Sequence, residues 1–270
     1  MKFRKFPRTI IFIVSIALVF GATFFAPATR ADQPREFTAE QVAETVILFS
    51  GTRPGLAQVR KTGVEYGRMS RMTPEGRPVE VRYQIRFVHG DKIEKDKIRI
   101  DQKTPQAEYS LIKNEDHVFG IINGSPFTPR ADDTAEFLSQ QTHSIEALLR
   151  YKENESKLAS AGKDKQQGID LYVIDLTDKA NHKTRYFISA KFFRVLWLEY
   201  EETPPDSTTP VKYMKRFYDY RYAQNTLVPY RTVLLEDGKR TVETRILTVT
   251  YGVKMEDALF KSPESASGAN

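Results

Sequence analysis

The side chains that most often do chemistry are few in this 270-residue chain, and they are badly spaced for it. Its four histidines, His89, His117, His143 and His182, stand far apart, with no His-x-x-x-His or Glu-x-x-His spacing, and there is no cysteine. A transition-metal centre draws three or four such ligands from short, regular spacings, so neither a metal nor any other cofactor is expected. Asp132 and Asp133 form a carboxylate pair, but they stand just before an apolar-striped segment, where acidic residues cap a helix. No Gly-x-Ser-x-Gly elbow and no phosphate-binding loop occurs. The aromatic run Phe217, Tyr218, Tyr220 and Tyr222 remains. Its rings could line an apolar cavity and orient a lipid head group, and they suit ordinary sheet packing equally well. These residues predict a binding protein rather than an enzyme; an enzyme acting on envelope lipids or glycans would need catalytic groups gathered by the fold alone.

The elements that must position those side chains are mostly strands. Tyr213 to Pro263 reads as three long antiparallel strands closed by a short turn over Leu259 and Phe260. Asp237-Gly238 supplies the positive φ angles of a two-residue hairpin turn. A second reversal falls within Asp219 to Pro229, with Pro229 at a strand start or an edge because it has no amide proton to donate. Upstream, Thr38 with Gln41 makes a capping box, Phe37 with Val42 a hydrophobic staple, and Val42, Val46 and Phe49 share the apolar face of a helix that Gly51 ends. A strand from about Val59 to Met72 turns at Gly76 into Val79 to Phe87, which alternates without error: Val79, Val81, Tyr83, Ile85 and Phe87 point one way, Glu80, Arg82, Gln84 and Arg86 the other. Ile98 and Ile100 repeat the pattern, and Tyr109 to Lys113 with His117 to Ile122 make a hairpin. One long helix follows, started by Asp133 and Glu136 and striped by Ala135, Leu138, Ile145, Leu148 and Leu149. After a polar linker around Gly162 to Gly168 come strands Ile169 to Leu176, Thr184 to Ser189 and Phe192 to Tyr200, with Trp197 expected in the core near a helix. Thr203 to Pro210 is an exposed loop.

The C-terminal block resembles that of LolA/LolB-like periplasmic lipoprotein carriers. The likeness rests on the aromatic strand Phe217 to Tyr222, the Leu227-Val228-Pro229 start of the next strand, the Asp-Gly hairpin, and the closing Asp257-Ala258-Leu259-Phe260 with Pro263. It implies an α+β fold, a strongly curved antiparallel half-barrel of about ten or eleven strands whose concave side is covered by helices. It also implies binding of lipid or lipoprotein acyl chains, with carriage towards the outer membrane, or a sensor and interaction module on the same fold that engages an envelope protein partner. A monomer is expected. The family's cavity arginine, which holds the lid closed, has its nearest candidates in Arg86 and Arg99.

The N-terminus sets the compartment. Lys2, Arg4, Lys5 and Arg8 precede the apolar run Ile10 to Ala26, and small residues follow at Ala26, Ala28 and Ala31, the layout of a secretory signal. Cleavage after Ala28 and after Ala31 both fit, and an uncleaved inner-membrane anchor is the alternative. The expected organisation is a signal at 1–31, one half-barrel domain at 32–263 and a disordered tail at 264–270. The full chain has 41 basic and 35 acidic residues; residues 1–31 hold five basic and no acidic ones, which leaves 36 against 35. The basic character therefore belongs to the export signal, and no nucleic-acid partner is expected. An apolar acyl cavity is expected from Val81, Tyr83, Ile85, Phe87, Ile98, Ile100, Leu138, Ile145, Leu149 and Trp197.

Overall fold

The computed structural model describes residues 36–262, apart from 74, 105, 106, 116 and 206. The segments expected as a signal at 1–31 and a tail at 264–270, and Pro263, lie outside the described residues. Two antiparallel meanders make up one sheet. The first runs β1 (Thr62–Met72), β2 (Pro78–Val88), β3 (Lys97–Lys103), β4 (Glu108–Asn114), β5 (His117–Ile122) and β6 (Ser125–Phe127). The second runs β7 (Lys157–Gln166), β8 (Ile169–Thr177), β9 (Lys183–Ser189), β10 (Val195–Glu202), β11 (Val211–Ala223), β12 (Thr226–Glu236) and β13 (Lys239–Tyr251). They join where β1 pairs with β13, giving the order β6-β5-β4-β3-β2-β1-β13-β12-β11-β10-β9-β8-β7. The sheet thus has 13 strands, more than the ten or eleven expected, and it stays open between β6 and β7. The C-terminal block forms the seam that joins the two halves.

Local chemistry explains most of the turns. Asp237 (φ 46°) and Gly238 (φ 78°) both adopt the left-handed region that a two-residue hairpin demands. The other reversal falls at Gln224 and Asn225, also at positive φ, and Pro229 sits inside β12. It is tolerated there because β12 pairs with β13 only from Arg231 to Glu236, so Pro229 lies in a stretch paired on one side. The segment around Gly162 to Gly168, expected as a linker, is instead strand β7 and its turn into β8. An edge strand with no buried face has no apolar alternation to betray it, and its lysines keep the edge from pairing with another sheet.

Helix α1 (Ala39–Gly51) carries the expected capping box: Gln41 N–H donates to Thr38 Oγ1 at 3.2 Å, and Thr38 N–H donates to Gln41 Oε1 at 2.9 Å. Ala39, Val42, Ala43, Val46 and Ile47 are its buried apolar residues, whereas Phe49 and Phe37 stay exposed. Gly51 ends it, and Thr52 caps α2 (Arg53–Val59) through Gly55 N–H. The single long helix expected from Asp133 is two, α3 (Ala131–Thr142) and α4 (Ile145–Leu149), broken at His143 and Ser144. The break is chemical: Ser144 Oγ accepts from Ala147 N–H at 3.0 Å and starts a new helix. Asp133 does not cap α3; with Asp132 it pairs with Arg130.

The main core lies between α1, α4 and the concave side of the second meander. It joins Val42, Val46 and Ile47 to Leu148, Leu149, Ile174, Leu176, Tyr186, Ile188, Leu198 and Phe217. A smaller cluster occupies the opposite face, where Trp197 stacks on Phe187 at 4.4 Å between ring centroids. Trp197 is therefore away from the helices. A register shift between Val195 and Trp197 alters the alternation along β10 and turns the indole outwards. The C-terminal 3-10 turn Asp257–Phe260 packs on β3 and β4, where Phe260 and Ile112 are fully buried and Arg99 Nη1 donates to the Leu259 carbonyl at 3.1 Å.

Candidate functional site

Strand pairing places the apolar residues of the first meander in rows, since directly opposed residues point to the same face. One row is Ile85, Ile100, Leu111 and Gly120, and Phe127 opposes Gly120. Phe87, Ile98, Lys113 and Val118 form the next, and Tyr83, Gln102, Tyr109 and Ile122 the one beyond. Of the predicted residues in these rows only Tyr83 is fully buried; Ile85, Phe87, Ile98 and Ile100 remain half-buried. The β2–β6 wing therefore presents a concave, mostly apolar face that is only partly covered along β2 and β3.

Glycines shape its floor. A methyl group on Gly67 would sit 2.3 Å from Tyr83 Oη, and one on Gly120 would sit 2.2 Å from Phe127 Cε1. Gly63 is related to Phe87 in the same way. Each ring lies flat over a neighbouring strand that has no side chain, so the aromatics line the trough instead of filling it.

Polar groups gather where the wing meets the helices. Tyr83 Oη donates to Glu65 Oε1 at 2.8 Å, and burial raises the Glu65 carboxyl above its ordinary range against the pull of that bond and of Arg60. Arg60, at the end of α2, lies 2.9 Å from Glu146 Oε2 of α4, with side chains only 17% and 20% exposed. Burial opposes the charge on Glu146, but Arg60, His89 and Arg150 outweigh it and hold the carboxyl low. Arg60 Nε and Glu146 Oε2 have no aligned hydrogen bond, so this contact is a charge pair without directional bonds. Beside it, Arg150 Nη1 donates to Asp96 Oδ2 at 2.7 Å, and His89 Nδ1 lies 2.8 Å from the same oxygen. Arg60, His89, Glu146 and Arg150 line a pocket of about 420 Å³.

Helix α3 is the other boundary. Phe137 is its single buried residue; otherwise Arg71 of β1 donates to Glu136, and Ser139 Oγ donates to Glu202 at 2.5 Å. His143, at the break, lies between Thr184 Oγ1 (2.7 Å) and Glu202 Oε1 (2.9 Å) and stacks on Tyr200. Burial pushes its imidazole pKa down despite Glu202, which favours the neutral ring. Lys215 Nζ donates to the His143 carbonyl at 2.9 Å, and desolvation lowers its ammonium to about 8. Beneath lies a cavity of about 220 Å³ lined by Met69, Ile145, Phe217, Leu234 and Val242. Met69 opposes Val81 of β2, so cavity and trough adjoin.

Val81, Tyr83, Ile85, Phe87, Ile98 and Ile100 thus share one face, and Ile145 lines the adjoining cavity. Three predicted residues lie elsewhere: Leu149 belongs to the main core, Leu138 is exposed on α3, and Trp197 is on the opposite face. Arg86 and Arg99 also face away from the helices, both paired with Asp101. Two arginines are buried at the helix–sheet junction, Arg150, paired with Asp96, and Arg60, paired with Glu146. Sequence gave no sign of the partner of Arg60, because Glu146 comes from an element far along the chain. Leu111 and Met69 were findable, the first from the run Tyr109 to Lys113 and the second from the strand before Gly76. Among the described residues no group of three or more His, Asp or Glu side chains could hold a metal ion, and no helix is long and apolar enough to cross a membrane.

An open antiparallel half-barrel with helices on its concave side and an apolar trough defines the class. No protein-family model matches the sequence, and no curated protein matches it either. Solved structures do. A DUF1329 family protein from Desulfovibrio piger is 12% identical, with a TM-score of 0.58 over 84% of this chain and 98% of that one. A LolA superfamily protein from Nitrosomonas europaea is 10% identical, with a TM-score of 0.57 over 85% and 100%. A putative outer membrane lipoprotein-sorting protein domain from Vibrio parahaemolyticus is 10% identical, with a TM-score of 0.56 over 84% and 96%. At these identities the likeness is one of fold, and the fold is LolA-like.

Proposed function

We propose that the protein is a periplasmic binding protein that takes acyl chains of lipids or lipoproteins on the concave face of the β2–β6 wing. The observation that carries this reading is the row in which half-buried Ile85 and Ile100 lead to buried Leu111, continued by the Phe127 ring over Gly120 and left uncovered by α1. Burying a chain gains about 0.8 kcal/mol per methylene, so eight methylenes give about 6 kcal/mol with no directional contact. Such binding suits a ligand that must later be released. The export signal in the sequence and the lipoprotein-sorting structure among the fold's likenesses support the compartment and the ligand class.

Native mass spectrometry of the exported protein, purified without detergent, tests it. The expected result is co-purifying phospholipid or uptake of an added triacylated lipopeptide, lost in Ile100→Asp while circular dichroism stays unchanged. A clean apo mass with no uptake would overturn the reading.

A further inference from the structure

A second apolar surface lies outside the trough, at the strand ends where β9 turns into β10. Phe192 is 54% exposed there, and Phe37, just before α1, and Phe49, in its last turn, are 45% and 48% exposed. Phe193, the residue after Phe192, joins the other two: its ring stacks on Phe49 at 5.9 Å with planes 2° apart and meets Phe37 edge-on at 6.0 Å. Phe193 achieves this at φ 49°, a conformation that bulky residues avoid at a cost of about 1–3 kcal/mol. Hydrogen bonds hold the turn, with Phe193 N–H donating to the Ser189 carbonyl at 2.8 Å and Ser189 N–H to that of Arg194 at 2.9 Å. Strain is thus accepted in a turn that keeps Phe192 in water.

Two cations flank the exposed ring. Lys191 Nζ lies 5.2 Å and the Arg194 guanidinium 5.7 Å from its centroid, and among the described residues neither has a carboxylate partner within salt-bridge distance. Exposed aromatics bordered by unneutralised cations match a bilayer interface, where rings sit at head-group depth and the cations meet lipid phosphates. A buried protein interface would instead deplete lysine.

We infer that Phe37, Phe49 and Phe192, with Lys191 and Arg194, form a docking surface for anionic phospholipid bilayers, separate from the acyl trough. The surface brings the protein to a membrane whether or not the trough is loaded.

The chain has no cysteine, so single cysteines can carry a polarity-sensitive fluorophore. One goes at Leu48, which is 60% exposed on α1, and the control at Lys239, at the opposite end of the strands. With vesicles containing 30% phosphatidylglycerol, the label at 48 should shift to the blue and be quenched by lipid-borne quenchers, while the label at 239 should not. Each cation near an anionic surface contributes roughly fivefold to partitioning, so Lys191→Glu with Arg194→Glu should weaken binding at least 25-fold. Phe192→Ser should weaken it as well, and Ile100→Asp should leave it unchanged, which separates this surface from the trough. Equal response at both labels, no response to vesicles, or burial of the 48 label by concentration-dependent self-association would overturn the inference.

Discussion

Helices α1 and α3 are nearly equal in length, 13 and 12 residues, and both lie on the concave side of the sheet. They are attached in different ways. α1 buries Ala39, Val42, Ala43, Val46, Ile47 and Ser50 into the main core, while α3 buries Phe137 alone and relies on polar ties to Arg71 and Glu202. Each fully buried valine or isoleucine contributes about 1.5–3 kcal/mol, so three of them hold α1 far more firmly than one ring holds α3. The Arg71–Glu136 pair is too exposed, at 48% and 39%, to add more than about 1 kcal/mol. The same division separates the meanders: the second carries a sealed core, the first an apolar face with little over it. The proposed acyl binding would use both, a rigid half to stay folded and a loosely covered half to open.

The largest test of that division is a matched pair of substitutions. Val46→Asp places an unpaired charge in the sealed core and should cost more than 4 kcal/mol in urea unfolding. Phe137→Asp should cost at most about 2 kcal/mol, because α3 can undock locally and let the aspartate reach water. Hydrogen exchange should then rise across Ala131 to Thr142 and stay slow in α1. Equal losses would mean that both helices belong to one cooperative unit.

A smaller effect of opposite sign is expected at Lys215, whose ammonium is lowered from an ordinary 10.5 to about 8 by desolvation. Between those values the unfolded chain holds a proton that the folded chain has released, so this group makes stability rise with pH from about 8 to 10.5. Below 8 the folded protein bears the full cost of the buried charge, about 3 kcal/mol at 1.36 kcal/mol per unit. Lys215→Met removes that cost and the hydrogen bond to His143, for a net gain of about 1–2 kcal/mol at pH 7. The slope between pH 8 and 10.5 should flatten, as unfolding measured across that range would show.

The smallest expected change is the most local. Glu136→Ala should lower global stability by less than 1 kcal/mol and speed amide exchange in α3 about fivefold. Acyl uptake should quicken in parallel. Unaltered exchange would place the hold on α3 elsewhere, at Phe137 or Ser139.

Much of the fold was legible because it is written locally. Thr38 with Gln41, Asp237 with Gly238, and the alternation from Val79 to Phe87 each specify a cap, a turn or a face within a few residues, and the structure has all three. The site was legible only in part. The alternation located the apolar face of β2, yet could not say that this face would be left open, since coverage depends on where the crossover helices between β6 and β7 come to rest. Ser144 held the clue that one expected helix is two, but a serine within an apolar stripe is an ordinary sight. Trp197 misled because a register shift in β10 alters the alternation on which its placement depended.

By itself the sequence determined the absence of cysteine, the charge balance, the strand-rich pattern and its resemblance to LolA-like carriers, all properties of composition and near neighbours. The tertiary structure alone decided the closing of β1 on β13, the pairing of Arg60 with Glu146, the rings laid over Gly63, Gly67 and Gly120, and the assembly of Phe37, Phe49 and Phe193 into one surface. Each of these joins residues distant along the chain. Such contacts follow from how a curved sheet brings its ends and its crossover helices together, and no local pattern of polarity encodes that.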